Sequence, residues 1–490
     1  MHESGGRGKS VVIGGGIAGM TCALLLARQG MQVTLVERSR QLGPTVRGFS
    51  RGGLYFESGF HYAGSIEGCG LLQRLLDRLG ISDDIEVASL PDGGCLDQVC
   101  FRDDGRGFCF PQGWEALEGN LSAQFPEHSD GIASYLAAMR RVWRLMDDSF
   151  PERSEALAEL LMSGEGGTQA DAFVSHGLSD PALQSLLSAH NLLYGTMPSE
   201  TSFVFHSLVI GSYYESMGMV RGGGRALVLA FENALCEAGV VVVTGEEAST
   251  ITLDGGRVAG IELATGGVLP ADTCVCSSHP SHLLRMLPER AFRPVYRSRI
   301  AEFADTPSAL VLFARAEKTG VAPGNRILLD SSSGGAENWR SRELADRPHF
   351  VSVASDDDAG VSVICPMGWE ELRKHGLCDA EHERVEDYRA RKKALGDALL
   401  ESVCPHVEEW LGRLELIDAA TPITFSDQLN APHGALYGIK HLALDMPLLP
   451  RTRVGGLFLA GQAIVAPGIM GAICSGFTAA SAATDEVARK

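Results

Sequence analysis

SVVIGGGIAGMTCALLLARQGMQVTLVE, residues 10–37, is the stretch that decides the fold. Ser10–Ile13 is a short β-branched strand. From Ile17 to Gln29 the spacing turns helical, with Met20, Leu24 and Ala27 on one stripe. Gly30 ends that helix as a residue just past a helix C-terminus does, and Gln32–Val36 reads as a second buried strand. Between the first strand and the helix stands Gly14-Gly15-Gly16-Ile17-Ala18-Gly19, a GxGxxG turn in the setting that gives it meaning. Gly14 permits the tight turn, Gly16 lets the backbone approach a pyrophosphate, and Gly19 lets the helix pack closely on the strand. The N–H groups at Ile17 and Ala18 open the helix and present its positive end. Glu37 closes the second strand, where a carboxylate accepts hydrogen bonds from an adenosine ribose; Arg38 follows it. The acid disfavours a ribose 2′-phosphate and hence NADP, but the motif does not separate FAD from NAD.

Outward from this unit, QLGPTVRGFSRGGLYFESGFHYAG (residues 41–64) alternates glycine turns with aromatics, as where backbone must lie against a flat ring. The run resembles the segment that follows the nucleotide motif in the phytoene desaturase, carotene isomerase and retinol saturase family of flavoproteins. It supplies Gly43, Phe49, Gly53, Phe56, Gly59, His61 and Gly64 of the family pattern. Pro44 stands at the usual second glycine and Glu57 at the usual Asp. Val46 and Gly59 fall among the residues this resemblance sets beside the cofactor. Gly222-Gly223-Gly224-Arg225 and Gly245-Glu246-Glu247-Ala248 look like the family's returning nucleotide segment, which implies that Ala248 faces adenine. Ser277-Ser278-His279-Pro280 resembles the strand end near the same pocket, and residues 421–425 and 434–438 resemble a segment near the substrate cavity. The most specific match is GLFLAGQ (Gly456–Gln462) followed by PGIMGAICSGF. There a strand delivers Gly461 to the cofactor, and the N–H groups of Met470, Gly471 and Ala472 would point at the negative edge of a reduced flavin. Relatives often carry Asp where Gln462 stands; glutamine can hydrogen-bond there without adding charge. The implied cofactor is FAD.

A chain of 490 residues exceeds what one core supports, so two domains are expected. Nucleotide-type pieces recur at the start, in the middle and at the end. The expected class is α/β: a Rossmann-type FAD-binding domain from 1–70, 215–290 and 445–490, with an inserted α+β substrate domain from 71–214 and 291–444. A hairpin turning at Asp103-Asp104-Gly105 and a mostly helical stretch from Trp114 to His206, with stops at Pro126, Pro151 and Pro198, open the insertion. Leu310–Ala314, Phe350–Ala354 and Val361–Cys365 suggest a separate antiparallel sheet.

A formal net charge of −19 repels phosphate backbones and anionic headgroups, which excludes nucleic acid as an expected partner. Twelve cysteines without a CxxC pair read as small core residues in a reduced, cytoplasmic protein. The apolar run Leu457–Phe477 is long enough to span a bilayer, but Gly461-Gln462 and Pro467-Gly468 would break it, so no transmembrane helix is expected. Any membrane contact would be peripheral and apolar, for substrate access. No metal set is present, and nothing fixes an oligomeric state.

Two histidines could serve as the acid or base. His61, in the flavin-adjacent run, and His433, between Pro432 and Gly434, are the candidates; a structural hydrogen bond and a plain loop histidine are the competing readings. The resemblance implies redox or redox-neutral chemistry on carbon–carbon bonds of an apolar polyene or isoprenoid: saturation, desaturation or cis–trans isomerisation. Two other readings remain open, a flavin amine oxidase and a carrier that keeps FAD without chemistry.

Overall fold

The computed structural model describes residues 8–88, 95–150, 167–331, 339–356, 358–443 and 448–488. The expected helix stop at Pro151 and the domain boundary at 444/445 lie outside these. The first sheet is parallel throughout. It takes β1 (Lys9–Ile13), β2 (Gln32–Glu37), β5 (Val241–Thr244), β6 (Thr273–Cys276) and β12 (Leu457–Leu459), in the order β5-β2-β1-β6-β12. Three distant pieces of chain therefore share one sheet. Helix α1 (Ile17–Arg28) is buried on nearly every side, including Met20, Cys22, Ala23 and Leu24, because the sheet covers one face and α6 (Gly468–Ala488) another. The two helices touch at small residues: a Cβ on Gly476 would stand 2.6 Å from Thr21 Cβ. That explains a helix without a polar stripe.

The second sheet takes β3 (Asp97–Phe101), β4 (Gly107–Phe110), β7 (Ser308–Ala316), β8 (Gly324–Leu329), β9 (His349–Val353), β10 (Val361–Met367) and β11 (Leu414–Ala420). Their order is β11-β7-β10-β9-β8-β3-β4. The three strands expected at 310–314, 350–354 and 361–365 pair antiparallel in a sheet apart from the first, as expected; the correction is that this sheet is larger and mixed. The hairpin β3–β4 joins it as an edge, and β3 runs parallel to β8, with Asn325 opposite Asp97. Helices α2 (Ser129–Ser149) and α3 (Phe203–Glu215) pack together, with Gly211 leaving room for Trp143, which is 1% exposed. Helix α4 (Gly223–Glu237) returns the chain to the first sheet. Helix α5 (Tyr388–Leu411) covers the second sheet through Leu399, Leu400, Val403 and Val407.

The cysteines bring another correction. Cys95 and Cys109 form a disulfide, their Cα atoms 5.6 Å apart, because the hairpin folds the two back on each other. The other ten are free thiols, and Cys22, Cys274, Cys276, Cys365, Cys378 and Cys474 are buried as expected. No helix among the described residues is long and apolar enough to cross a membrane.

Candidate functional site

At the C-terminal end of the parallel sheet opens a cavity of about 530 Å³, where ligands of open α/β sheets bind. Its nucleotide wall is the β1–α1 turn. Gly14, Gly16, Ile17 and Ala18 line it, with Glu37 and Arg38 at the end of β2. Gly14 has φ +102°, and a Cβ there would stand 2.5 Å from Ser277 Oγ. Around Gly16 the space is open: a Cβ would meet no protein atom within 4 Å, so this glycine leaves a cradle facing the cavity. Gly19 does not line it. A Cβ there would overlap Gly14 O, which is the close helix-to-strand packing its place in the motif requires.

Glu37 is 7% exposed, and its carboxylate accepts the N–H groups of Gly15 and Ser39, each at 2.6 Å. It therefore braces the turn as well as facing the cavity. Arg38 reaches the carbonyls of Asp427 and Gln428. Ala248, with Glu246, Glu247 and Ser249, lines the same wall.

The next turn supplies Val46 and Gly59 to the lining, whereas Gly43 lies behind it. Gly43 N–H donates to Gly15 O at 2.8 Å, and a Cβ would collide with Val228 of α4. Gly59 faces Thr45 O so closely that a Cβ would stand 2.6 Å away. Gly224, in the first turn of α4, has the same cause: a side chain there would overlap Val46 O.

From the C-terminal segment, Gly461, Gln462 and Ala472 line the cavity. Gly461 has φ +108°, and its N–H donates to the buried Ser475 Oγ at 2.7 Å. Met470 and Gly471 instead line a smaller adjoining hollow of about 50 Å³, with Tyr62, Tyr213, Phe205 and Leu208; Gly468 and Ile469 belong to both. Not all three of those N–H positions therefore face the larger space. Sequence reasoning passed over Ser475, since a serine one face along an apolar helix carries no signal until the strand end is brought against it.

The far side of the cavity is apolar. Val311 of β7 and Ile364 of β10, opposite each other in register, join Phe425 and Leu436. His61 lines the cavity, with its side chain 11% exposed. His433 does not. Its side chain is 68% exposed, and it lies 3.6 Å from Asp305 and beside the Trp369 ring. The structure brings one of the two candidate histidines to the site.

The residues present fit a flavin dinucleotide: an uncluttered glycine turn, a helix N-terminus, a carboxylate at the end of β2, and a second glycine turn opposite an apolar floor. The model of the family described as flavin containing amine oxidoreductase matches residues 17–484. All-trans-retinol 13,14-reductase of Danio rerio is 24% identical, over 96% of this chain and 85% of its own length. Hydroxyneurosporene desaturase of Rubrivivax gelatinosus is 26% identical over 96% and 92%. Among solved structures, an oxidoreductase from Methanosarcina mazei superposes with TM-score 0.62 at 16% identity, covering 96% of this chain and 98% of its own.

Proposed function

The chain belongs to the flavin containing amine oxidoreductase family and is an FAD-dependent oxidoreductase, and we propose that it acts on carbon–carbon bonds of an apolar polyene or isoprenoid. One observation carries the reading: opposite the glycine turns the cavity ends on an apolar floor of Val311, Ile364, Phe425 and Leu436. Relatives matched over most of both chains are named all-trans-retinol 13,14-reductase and hydroxyneurosporene desaturase, which supports it.

In this reading a discontinuous domain from 1–70, 215–290 and 445–490, built on the first sheet, holds FAD, and 71–214 with 291–444 holds substrate. Gly14, Gly16, Ile17 and Ala18 receive the pyrophosphate, Glu37 the ribose and Ala248 the adenine. Val46, Gly59, Gly461, Gln462 and Ala472 take the flavin end. Bound FAD supplies two-electron transfer to or from carbon. The protein orients the double bond, excludes water with its apolar floor and handles a proton at His61. His433, outside the cavity, has no part. Such a substrate partitions into lipid, so peripheral membrane contact of a cytoplasmic protein gives its route of entry.

The test is a substrate screen on purified holoenzyme, run with the flavin reduced under argon and oxidised in air. Turnover of retinoid or carotenoid polyenes is expected. Hydrogen peroxide release on adding polar amines, with no polyene turnover, would replace this reading with amine oxidation. Flavin that none of these substrates reduces or reoxidises would favour a carrier.

A further inference from the structure

Glu57 is the buried acid that the cavity's neighbours leave unexplained. Its carboxyl group is 4% exposed; burial pushes it above the usual carboxylate range, and His61 pulls in the opposite direction. Oε1 occupies space that only a glycine leaves, since a Cβ on Gly223 would stand 2.5 Å from it. Oε2 is buried 3.2 Å from His61 Nδ1, an ion-pair contact, and has no hydrogen-bond partner among the described residues. The imidazole is held on another side by Phe350, with ring centroids 5.6 Å apart. Phe350 stands opposite Ile364 in the register of β9 and β10, and Ile364 lines the cavity. His61 therefore sits at the seam between the glycine turns and the apolar floor.

Three other ring side chains near this space are differently engaged. His279 uses both ring nitrogens, on Ser281 and Asp305. His282 contacts Asn430 and stands among Arg285, His279 and Arg38. Tyr437 donates its hydroxyl proton to Leu192 O.

We propose that Glu57 is a positioning residue that keeps a proton on His61 Nδ1, so that Nε2 exchanges the proton which the reaction adds to, or removes from, a substrate carbon. The role of Nε2 rests on the polyene reading; the Glu57–His61 arrangement does not. Saturating a C=C bond needs a hydride on one carbon, which bound reduced FAD would supply, and a proton on its neighbour. Nε2–H of the imidazolium supplies that proton, the N–H electron pair stays on nitrogen, and the C=C π pair forms the new bond. What remains is neutral imidazole with Nδ1–H held by the Glu57 carboxylate, reloaded at Nε2 from solvent. Desaturation runs the same exchange in reverse. The bond made by one ring nitrogen decides which of the two carries the proton in the neutral form.

The test is ¹⁵N NMR of holoenzyme labelled at histidine, with the His61 signals assigned from His61→Gln and FAD absorbance showing that each variant is folded and loaded. Neutral His61 is expected as the Nδ1–H form in the wild type and in Glu57→Asp. Glu57→Gln, whose amide can donate to Nδ1, should switch it to the Nε2–H form. An Nε2–H form in the wild type, or no change in Glu57→Gln, overturns the proposal. With a retinoid or carotenoid as substrate, Glu57→Gln should lower kcat about 10²-fold with KM nearly unchanged, and Glu57→Asp should recover most of the loss. A switched imidazole with undiminished kcat overturns the proton role. A wild type that turns over no polyene overturns the substrate reading, while the NMR result decides the Glu57–His61 arrangement independently.

Discussion

Gly16 and Gly19 belong to one six-residue motif, yet substitution should fail in two different ways. At Gly16 the space beside Cα is open, so Gly16→Val should fold and purify largely without FAD, its side chain standing in the pyrophosphate path. Gly19→Val should not accumulate as folded protein, because the new side chain would drive α1 off β1. Absorbance of bound flavin, read beside thermal melting, separates the two. Full FAD content in folded Gly16→Val would put the dinucleotide elsewhere. Glu37→Ala should weaken FAD binding by about 1.5–3 kcal/mol, roughly ten- to hundredfold in Kd, measured by titrating apo-protein with FAD. These residues were legible because their partners lie within one βαβ unit. Glu57 was visible only as a departure from a family pattern. Its partner His61 is near in sequence, but the cavity that gives the pair meaning is closed by β7 and β10, far along the chain.

The β12–α6 turn is the clearest case at the level of elements. Ser475 Oγ is the acceptor for Gly461 N–H, at 2.7 Å and fully buried, while Gly461 stands 3.1 Å, by its absent Cβ, from Ser277 O. Ser475→Ala should leave that N–H without a partner and cost about 1–3 kcal/mol in a chemical denaturation curve. Flavin release should be easier in the same variant. A melt unchanged from wild type would mean that the turn is held by other contacts. Strong elements were readable here from glycines and β-branched runs: α1, β1 and β2 fall within a residue or two of their expected ends. Helix α5 was not assigned, because Gly396 and Pro405 interrupt its pattern. Packing explains the glycine, since a Cβ there would lie 2.8 Å from Leu416 of β11. The parallel β3–β8 pair was equally hidden, as strand direction across an insertion leaves no mark on either strand.

Over the whole molecule, acid should act earlier than carboxylates alone would allow. Burial lowers His206 and His349 to about 3, and His282 and His441 to about 4, so all four fold as neutral rings. In the unfolded chain they bind protons near pH 6.5, and between these limits the unfolded state holds more protons, so stability rises with pH. Their contribution is complete above about pH 6.5 and is withdrawn as pH falls towards 4. Melting temperature should already decline from pH 7 to 5.5; a flat profile there would show these rings charged in the fold. A second acid-sensitive tie is Arg347–Glu371, with the guanidinium 1% exposed. Burial would raise the Glu371 carboxyl, but Arg347 and the Gly368 N–H outweigh it and hold it below the usual range. Glu371→Gln should cost about 3–5 kcal/mol near neutrality, because it strands a buried cation.

The order of strands in the first sheet also bears on how the protein is born. β12 pairs with β6, and α6 covers α1, so the β1–α1–β2 unit lacks these neighbours until residues 457–488 have been made. While the ribosome is still adding residues, the outer edge of β6 and the apolar side of α1 have nothing of their own to rest on. Trapping by chaperones is the expected fate of that interval. Nascent chains stalled at residue 440 should remain sensitive to protease and take up no flavin, whereas released chains that include residues 457–488 become resistant and yellow together.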